Sequence, residues 1–382
     1  MSLKKLTSLL LGCSILMMAV LGLVGCGDRA SGSSKEHTNH EWDASTGICT
    51  VGGEPCTHRN EKGKYKTGDD GYCAICGYQS MFKWNLFAKG DVLIQPVENG
   101  GTIEKITYET KAYGQEGTPD VTKDAYVYLP AGYDTSKQYN VFYLMHGGGL
   151  SEIFWFAQGT EETGHMPDDI DYGAIGNHTK DLLDNMMAQG LAKETIVVTP
   201  TSNVTVDGTT TSDIMTFDLE LKNDLMPYIA EHYSTYAKIG SLEDLIAARD
   251  HQAYAGLSMG SMLGWNCILK KSVDVISYIG NYSGGMGFSD DFSGYDSVIS
   301  ALKGDFKDYK INYWYNGNGQ LDQAHDGHVV AYDYMIEQCP DILTNGYGTS
   351  GNATFVDLPQ GMHGYMAWLV DVYNCMLVFF QG

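Results

Sequence analysis

The chain has 382 residues, 43% hydrophobic and 12% aromatic, enough apolar side chain to bury a large core, which excludes a mostly disordered polymer. Its 47 acidic residues against 24 Lys and Arg give a formal net charge of −23. A surface so acidic repels phosphate backbones, and no basic stripe follows the extreme N-terminus, so nucleic-acid binding is disfavoured and neutral substrates or small esters fit better.

The first element in the chain reads as an address. Lys4 and Lys5 precede an apolar run from Leu9 to Val24, the charge-then-hydrophobic layout of a secretory signal, and the run is too short for a convincing permanent membrane span. It ends Leu23-Val24-Gly25-Cys26, which is similar to a bacterial lipobox. The expectation is a signal over residues 1–25, with Cys26 as the lipid-bearing mature N-terminus at the bacterial cell surface. Residues 26–45, rich in Ser, Gly and charge at their start, read as a flexible tether.

A small module is expected over residues 46–80. Cys56-x-His58 and Cys73-x-x-Cys76-Gly77 are two ligand pairs that could close one tetrahedral zinc-ribbon-like site. Disulfides are the alternative, because an exported location permits them. With four protein ligands such a zinc would be structural, since no position is left for water.

The remainder, residues 91–382, alternates strand-like and helix-like patterns. Strands are expected over 125–129, 139–145, 195–199, 253–257, 275–279, 311–315 and 353–358. Helical periods cover 180–189, 214–232, 259–271, 328–338 and 365–379. Strand then helix, repeated, predicts an α/β fold with a mostly parallel central sheet flanked by helices. Cys267, Cys339 and Cys375 fall in or at the end of helical stretches and read as core filler.

The chemistry gathers at strand ends. Gly256-Leu257-Ser258-Met259-Gly260 is a G-x-S-x-G sequence between a strand and a helix, the context that turns a serine into an exposed nucleophile at a sharp elbow. Upstream, His146-Gly147-Gly148-Gly149 ends another strand, where glycines let backbone N–H groups face a developing oxyanion. Gly148 and Met259 are the expected donors, and His146 reads as structural. Among eleven histidines, His363 stands in a glycine-rich loop after the last strand, last in the order nucleophile, acid, histidine. Asp322 is the expected acid, with Asp326 as its rival, while His325 and His328 read as surface or substrate-edge residues. No cofactor is expected for catalysis.

Three stretches, Tyr143 to Glu152 (YLMHGGGLSE), Ala253 to Gly260 (AYAGLSMG) and Gly361 to Trp368 (GMHGYMAW), make the chain resemble the esterase family that contains feruloyl esterases, acetylxylan esterases and the esterase D group. The resemblance runs from about Val97 to the C-terminus and implies an α/β-hydrolase fold. It implies triad roles for Ser258 and His363 directly, and for Asp322 less directly, because the Gly317-Asn318-Gly319-Gln320-Leu321-Asp322 loop departs from the family's short turn. The implied activity is removal of feruloyl or acetyl groups from acylated plant polysaccharide such as xylan. An acyltransferase using the same triad and a non-catalytic carbohydrate-binding relative are the competing readings. The segment 157–177 is expected to lie over the site.

Overall fold

The computed structural model describes residues 42–43, 48–49, 93–157, 178–286, 292–358 and 361–381. The expected signal, Cys26, the metal quartet Cys56, His58, Cys73 and Cys76, and residues 158–177 of the expected cover lie outside the described residues. In the N-terminal part, two short strands, Trp42–Asp43 and Ile48–Cys49, pair antiparallel.

The main sheet has eight strands: β1 (Thr102–Lys111), β2 (Asp120–Leu129), β3 (Asn140–Met145), β4 (Thr195–Thr199), β5 (Gln252–Leu257), β6 (Tyr278–Tyr282), β7 (Tyr313–Gly319) and β8 (Ala353–Leu358). Their order is β8-β7-β6-β5-β3-β4-β2-β1. Pairing is parallel from β8 through β4, while β2 joins β4 antiparallel and β1 completes a hairpin at the edge. The sheet is therefore mixed. Edge strand β1 buries only Ile106, Tyr108 and Thr110, the alternation of a strand with one wet face. Central β3 and β5 are buried at every residue, because helices cover both sides.

Period-two geometry divides β3 between two cores: Val141, Tyr143 and Met145 pack on one face, Phe142 and Leu144 on the other. On the first face lies α2, which starts over Phe217–Glu220, widens through one π turn at Leu221–Leu225 and continues over Met226–His232. It is joined there by α4 (Met259–Leu263, after α3, Leu242–Ala247), α5 (Ser293–Lys303) and α6 (His325–Gln338). On the second face lie α1 (Thr179–Ala188) and α7 (Tyr365–Val378). Helix α7 is buried nearly all round, so it carries no polar stripe. Cys267, Cys339 and Cys375 are buried free thiols.

Several elements differ from the sequence expectation. The apolar run starting at Val275 turns rather than extends at first: Val275 and Ile276 N–H both bond the Ser272 carbonyl, and β6 begins three residues later. Strand β7 starts two residues late and runs on through Asn316-Gly317-Asn318-Gly319, residues of low β propensity expected in a loop. Asn316 and Asn318 are tolerated there because buried hydrogen bonds reach them from His328 of α6. Strand β1 and helices α3 and α5 had no distinct sequence signal.

One buried ion pair fastens α2 to the sheet. Lys123 Nζ lies 2.6 Å from Glu220 Oε2, both side chains almost wholly buried, and Tyr108 donates to Glu220 Oε1 at 2.6 Å. Burial pushes the Glu220 carboxyl up, and the Lys123 charge opposes that shift. Glu220→Gln strands the ammonium without a countercharge and is expected to cost about 3–5 kcal/mol, read by urea unfolding. The double change Lys123→Met with Glu220→Leu is expected to cost less than that single one.

Candidate active site

The site stands at the carboxyl ends of the parallel strands. Where β5 ends, Ser258 takes φ 52° and ψ −112°, a conformation that side chains with a Cβ rarely adopt. The flanking glycines make the turn sterically feasible. A Cβ on Gly256 would meet the Gly260 carbonyl at 2.5 Å, and one on Gly260 would meet the His146 carbonyl oxygen at 2.5 Å. Helix α4 follows at once, and Ser258 N–H donates to the Tyr282 carbonyl of β6 at 2.8 Å. The G-x-S-x-G spacing is thus a packing requirement between β5, α4 and the end of β3.

The acid and the histidine come together at the ends of β7 and β8. His363 Nδ1 lies 2.9 Å from each oxygen of Asp322, whose carboxylate is fully buried. A carboxylate only accepts, so Nδ1 carries the hydrogen and Nε2 is left as the basic nitrogen. Asp322 Oδ1 also accepts from Ala324 N–H at 2.8 Å, and Leu321 N–H bonds the Gly361 carbonyl at 2.8 Å. Gly319 and Gly361 meet backbone to backbone with no room for a Cβ at Gly319, which seats the histidine loop on the end of β7. The Trp368 ring stands edge-on to the imidazole at 5.1 Å and donates through Nε1 to Ser283 Oγ at 2.7 Å. Asp326, by contrast, is fully exposed and accepts from His325 Nδ1 at 2.9 Å.

Ser258 and His363 line one cavity of about 400 Å³. Among the described residues no hydrogen bond joins them. Such contacts are commonly long before substrate binds and tighten in the complex. The cavity walls are largely apolar and include Met262, Phe292, Tyr295, Val330 and Ala331. On the other side of Ser258, a Cβ on Gly147 would stand 3.3 Å from the serine Cβ and one on Gly148 would stand 3.7 Å from Met259 Sδ, so the two expected oxyanion residues are neighbours.

The sequence placed His328 at the surface or the substrate edge, and the structure overturns the first of these. Its side chain is wholly buried at the floor of the cavity, with burial lowering its pKa to about 3. Neutral His328 donates from Nε2 to Asn316 Oδ1 at 3.0 Å and accepts at Nδ1 from Gly284 N–H at 3.3 Å. Gly284 lines the cavity beside Ser258, so this bond holds the wall in place. The cavity residues Phe292 and Tyr295 and the supports Ser283 and Trp368 were also missed, since only the fold assembles them. Among the described residues no group of three or more His, Cys, Asp or Glu could hold a metal ion.

No protein-family model matches the sequence. The endo-1,4-beta-xylanase Y of Acetivibrio thermocellus is 32% identical over 194 residues, 51% of this chain and 15% of that protein. An endo-1,4-beta-xylanase/feruloyl esterase of Xylanibacter ruminicola is 29% identical over 195 residues, 49% of this chain and 22% of that protein. The chain therefore spans only about a fifth or less of the length of these curated relatives. Among solved structures, a serine-to-alanine mutant of the feruloyl esterase module from Clostridium thermocellum, complexed with sinapinate, superposes with a TM-score of 0.60 at 24% identity, covering 76% of this chain and 92% of that one. The mixed eight-stranded sheet with flanking helices is similar in fold to that feruloyl esterase module.

Proposed function

We propose that the protein is a serine esterase that removes acyl groups, feruloyl in preference to acetyl, from plant cell-wall polysaccharide such as xylan. The observation that carries this reading is the Asp322–His363 pair facing the same cavity as the strained Ser258 elbow. Ser258 Oγ attacks the ester carbonyl while His363 Nε2 takes its proton. Asp322 holds the Nδ1–H tautomer and stabilises the imidazolium without accepting the proton. Backbone N–H groups of Gly148 and Met259 receive the oxyanion. His363 returns the proton to the departing sugar hydroxyl, and water, activated by the same imidazole, clears the acyl-enzyme.

The cavity supports the feruloyl side of the reading. A volume of about 400 Å³ with Phe292 and Tyr295 in its wall suits a flat aromatic acyl group, whereas acetyl would leave most of it unfilled. The likeness to an endo-1,4-beta-xylanase/feruloyl esterase and to a feruloyl esterase module supports the same class. Lys4, Lys5, the apolar run and Cys26 support export and lipid anchoring at a bacterial surface. That location would bring the enzyme to polymeric substrate.

Ser258→Ala is expected to lower hydrolysis of methyl ferulate by about 10⁶-fold while substrate binding survives, read by product release and by calorimetric titration. A binding loss of the same size would argue against the acyl-enzyme route. Asp322→Asn is expected to reduce kcat by about 10⁴-fold, since the imidazole then presents the wrong tautomer. Asp326→Asn should leave kcat near wild type, and the reverse pattern would move the acid to Asp326. Side-by-side assays should show methyl ferulate cleaved with a higher kcat/KM than acetylated xylan. Equal or greater activity on acetyl esters would sink the aromatic-pocket reading.

A further inference from the structure

The glycine loop that follows β3 is fastened to the segment Thr199–Asn203 by alternate side chains. Thr199 Oγ1 donates to the Glu152 carbonyl at 2.7 Å, and Asn203 Nδ2 donates to the Leu150 carbonyl at 2.9 Å. Between these two fasteners, Thr201 Oγ1 meets His146 Nε2 at 2.8 Å. His146 Nδ1 lies 2.7 Å from the carbonyl of Gly147, which also accepts from Leu150 N–H at 3.3 Å.

The hydrogens in this chain can be assigned by elimination. A carbonyl only accepts, so His146 Nδ1 carries the proton. The ring is wholly buried, which lowers its pKa to about 4 and keeps it neutral. Nε2 is therefore a lone pair, and the Thr201 hydroxyl donates to it. Asn203 N–H donates to Thr201 Oγ1 at 3.1 Å, satisfying that oxygen as an acceptor and leaving its hydrogen for the imidazole.

We propose that Thr201 is a positioning residue for ester cleavage: its hydroxyl anchors the His146 ring, and His146 in turn locks the Gly147–Gly148 peptide with its N–H aimed at the oxyanion. The coupling follows from peptide planarity. In a trans peptide the Gly147 carbonyl and the Gly148 N–H point in opposite directions, so fixing one fixes the other. A Cβ on Gly148 would stand 3.7 Å from Sδ of Met259, the residue that follows the nucleophile, so the loop passes next to the elbow. Without the hydroxyl, Nε2 loses its donor, the buried ring is no longer tethered to the Thr199–Asn203 segment, and the Nδ1–H bond that holds the Gly147 carbonyl is weakened.

This inference rests on the esterase reading, and its test separates the two. The assay compares wild type, Thr201→Val and Thr201→Ser on methyl ferulate and on the analogue whose carbonyl oxygen is replaced by sulfur. Thr201→Val is expected to lose about 10- to 100-fold in kcat with KM changed by less than about twofold, the pattern for a group acting only in the transition state. The preference for the oxygen ester over its sulfur analogue should shrink by a similar factor, because sulfur draws less from an oxyanion donor. Thr201→Ser, which restores the hydroxyl, should recover both quantities. Wild-type kcat and an unchanged oxygen-to-sulfur preference in Thr201→Val would overturn the positioning role alone. So would an equal loss in both variants accompanied by lowered thermal stability. A wild-type protein inactive on the ester would overturn the esterase reading and this inference with it.

Discussion

The backbone at Ser258 is the constraint on which the remaining geometry depends. A residue with a Cβ is held at φ 52° by contacts that leave no room for side chains at Gly256 or Gly260. Strain of this kind costs on the order of 1–3 kcal/mol and persists only where surrounding structure over-determines it. Here β3, β5, β6 and α4 all close on the turn: the His146 carbonyl presses on Gly260, Tyr254 donates to the Gly260 carbonyl at 2.8 Å, and the Tyr282 carbonyl receives Ser258 N–H. The result is a hydroxyl standing clear of both strand and helix at the cavity edge.

From that point the parallel part of the sheet distributes the chemistry. Neighbouring parallel strands end on the same side, so the loops after β3, β5, β7 and β8 are brought to one rim without any of them crossing the sheet. β3 delivers the glycine loop, β5 the serine, β7 the aspartate and β8 the histidine. The antiparallel hairpin of β1 and β2 extends the opposite edge, away from the site. Its buried Lys123 instead reaches Glu220 and so fixes α2, which packs under the same sheet face as α4.

Much of this was legible in the sequence because the site is built from short local patterns. G-x-S-x-G between a strand and a helix identifies Ser258, and a histidine in a glycine loop after the last strand identifies His363, since each signal is complete within a few residues. Asp322 was harder to separate from Asp326. The two are four residues apart, and only the turn after β7 buries one while α6 exposes the other. Thr201 and His328 carried no usable signal at all. Their partners lie 55 and 44 residues away in His146 and Gly284, and a lone threonine or a helical histidine looks the same whether it supports a site or faces water. Strand β7 was read two residues early and short for a related reason: Asn316, Gly317, Asn318 and Gly319 disfavour strands locally, and tertiary hydrogen bonds override that preference.

Among the described residues four histidines stand near the rim, and burial with hydrogen bonding decides which can serve as base. His146 and His328 are wholly enclosed and lack a carboxylate partner, so a proton on either would have to be held in a nonpolar interior. Their pKa values fall to about 4 and about 3, which makes them fixed connectors rather than proton carriers. His325 has carboxylates at both ring nitrogens, Asp326 at 2.9 Å and Asp357 at 3.1 Å, so no ring nitrogen is left to accept the serine hydrogen. Among these described histidines, His363 combines the two requirements. Its Nδ1–H donates to the buried Asp322 carboxylate, which leaves Nε2 as the acceptor, and its partial exposure of 23% opens it to the cavity that Ser258 shares. The same burial that silences two of the imidazoles makes them rigid, and rigid connectors are what a loop of consecutive glycines needs if its amides are to meet an oxyanion without reorganising.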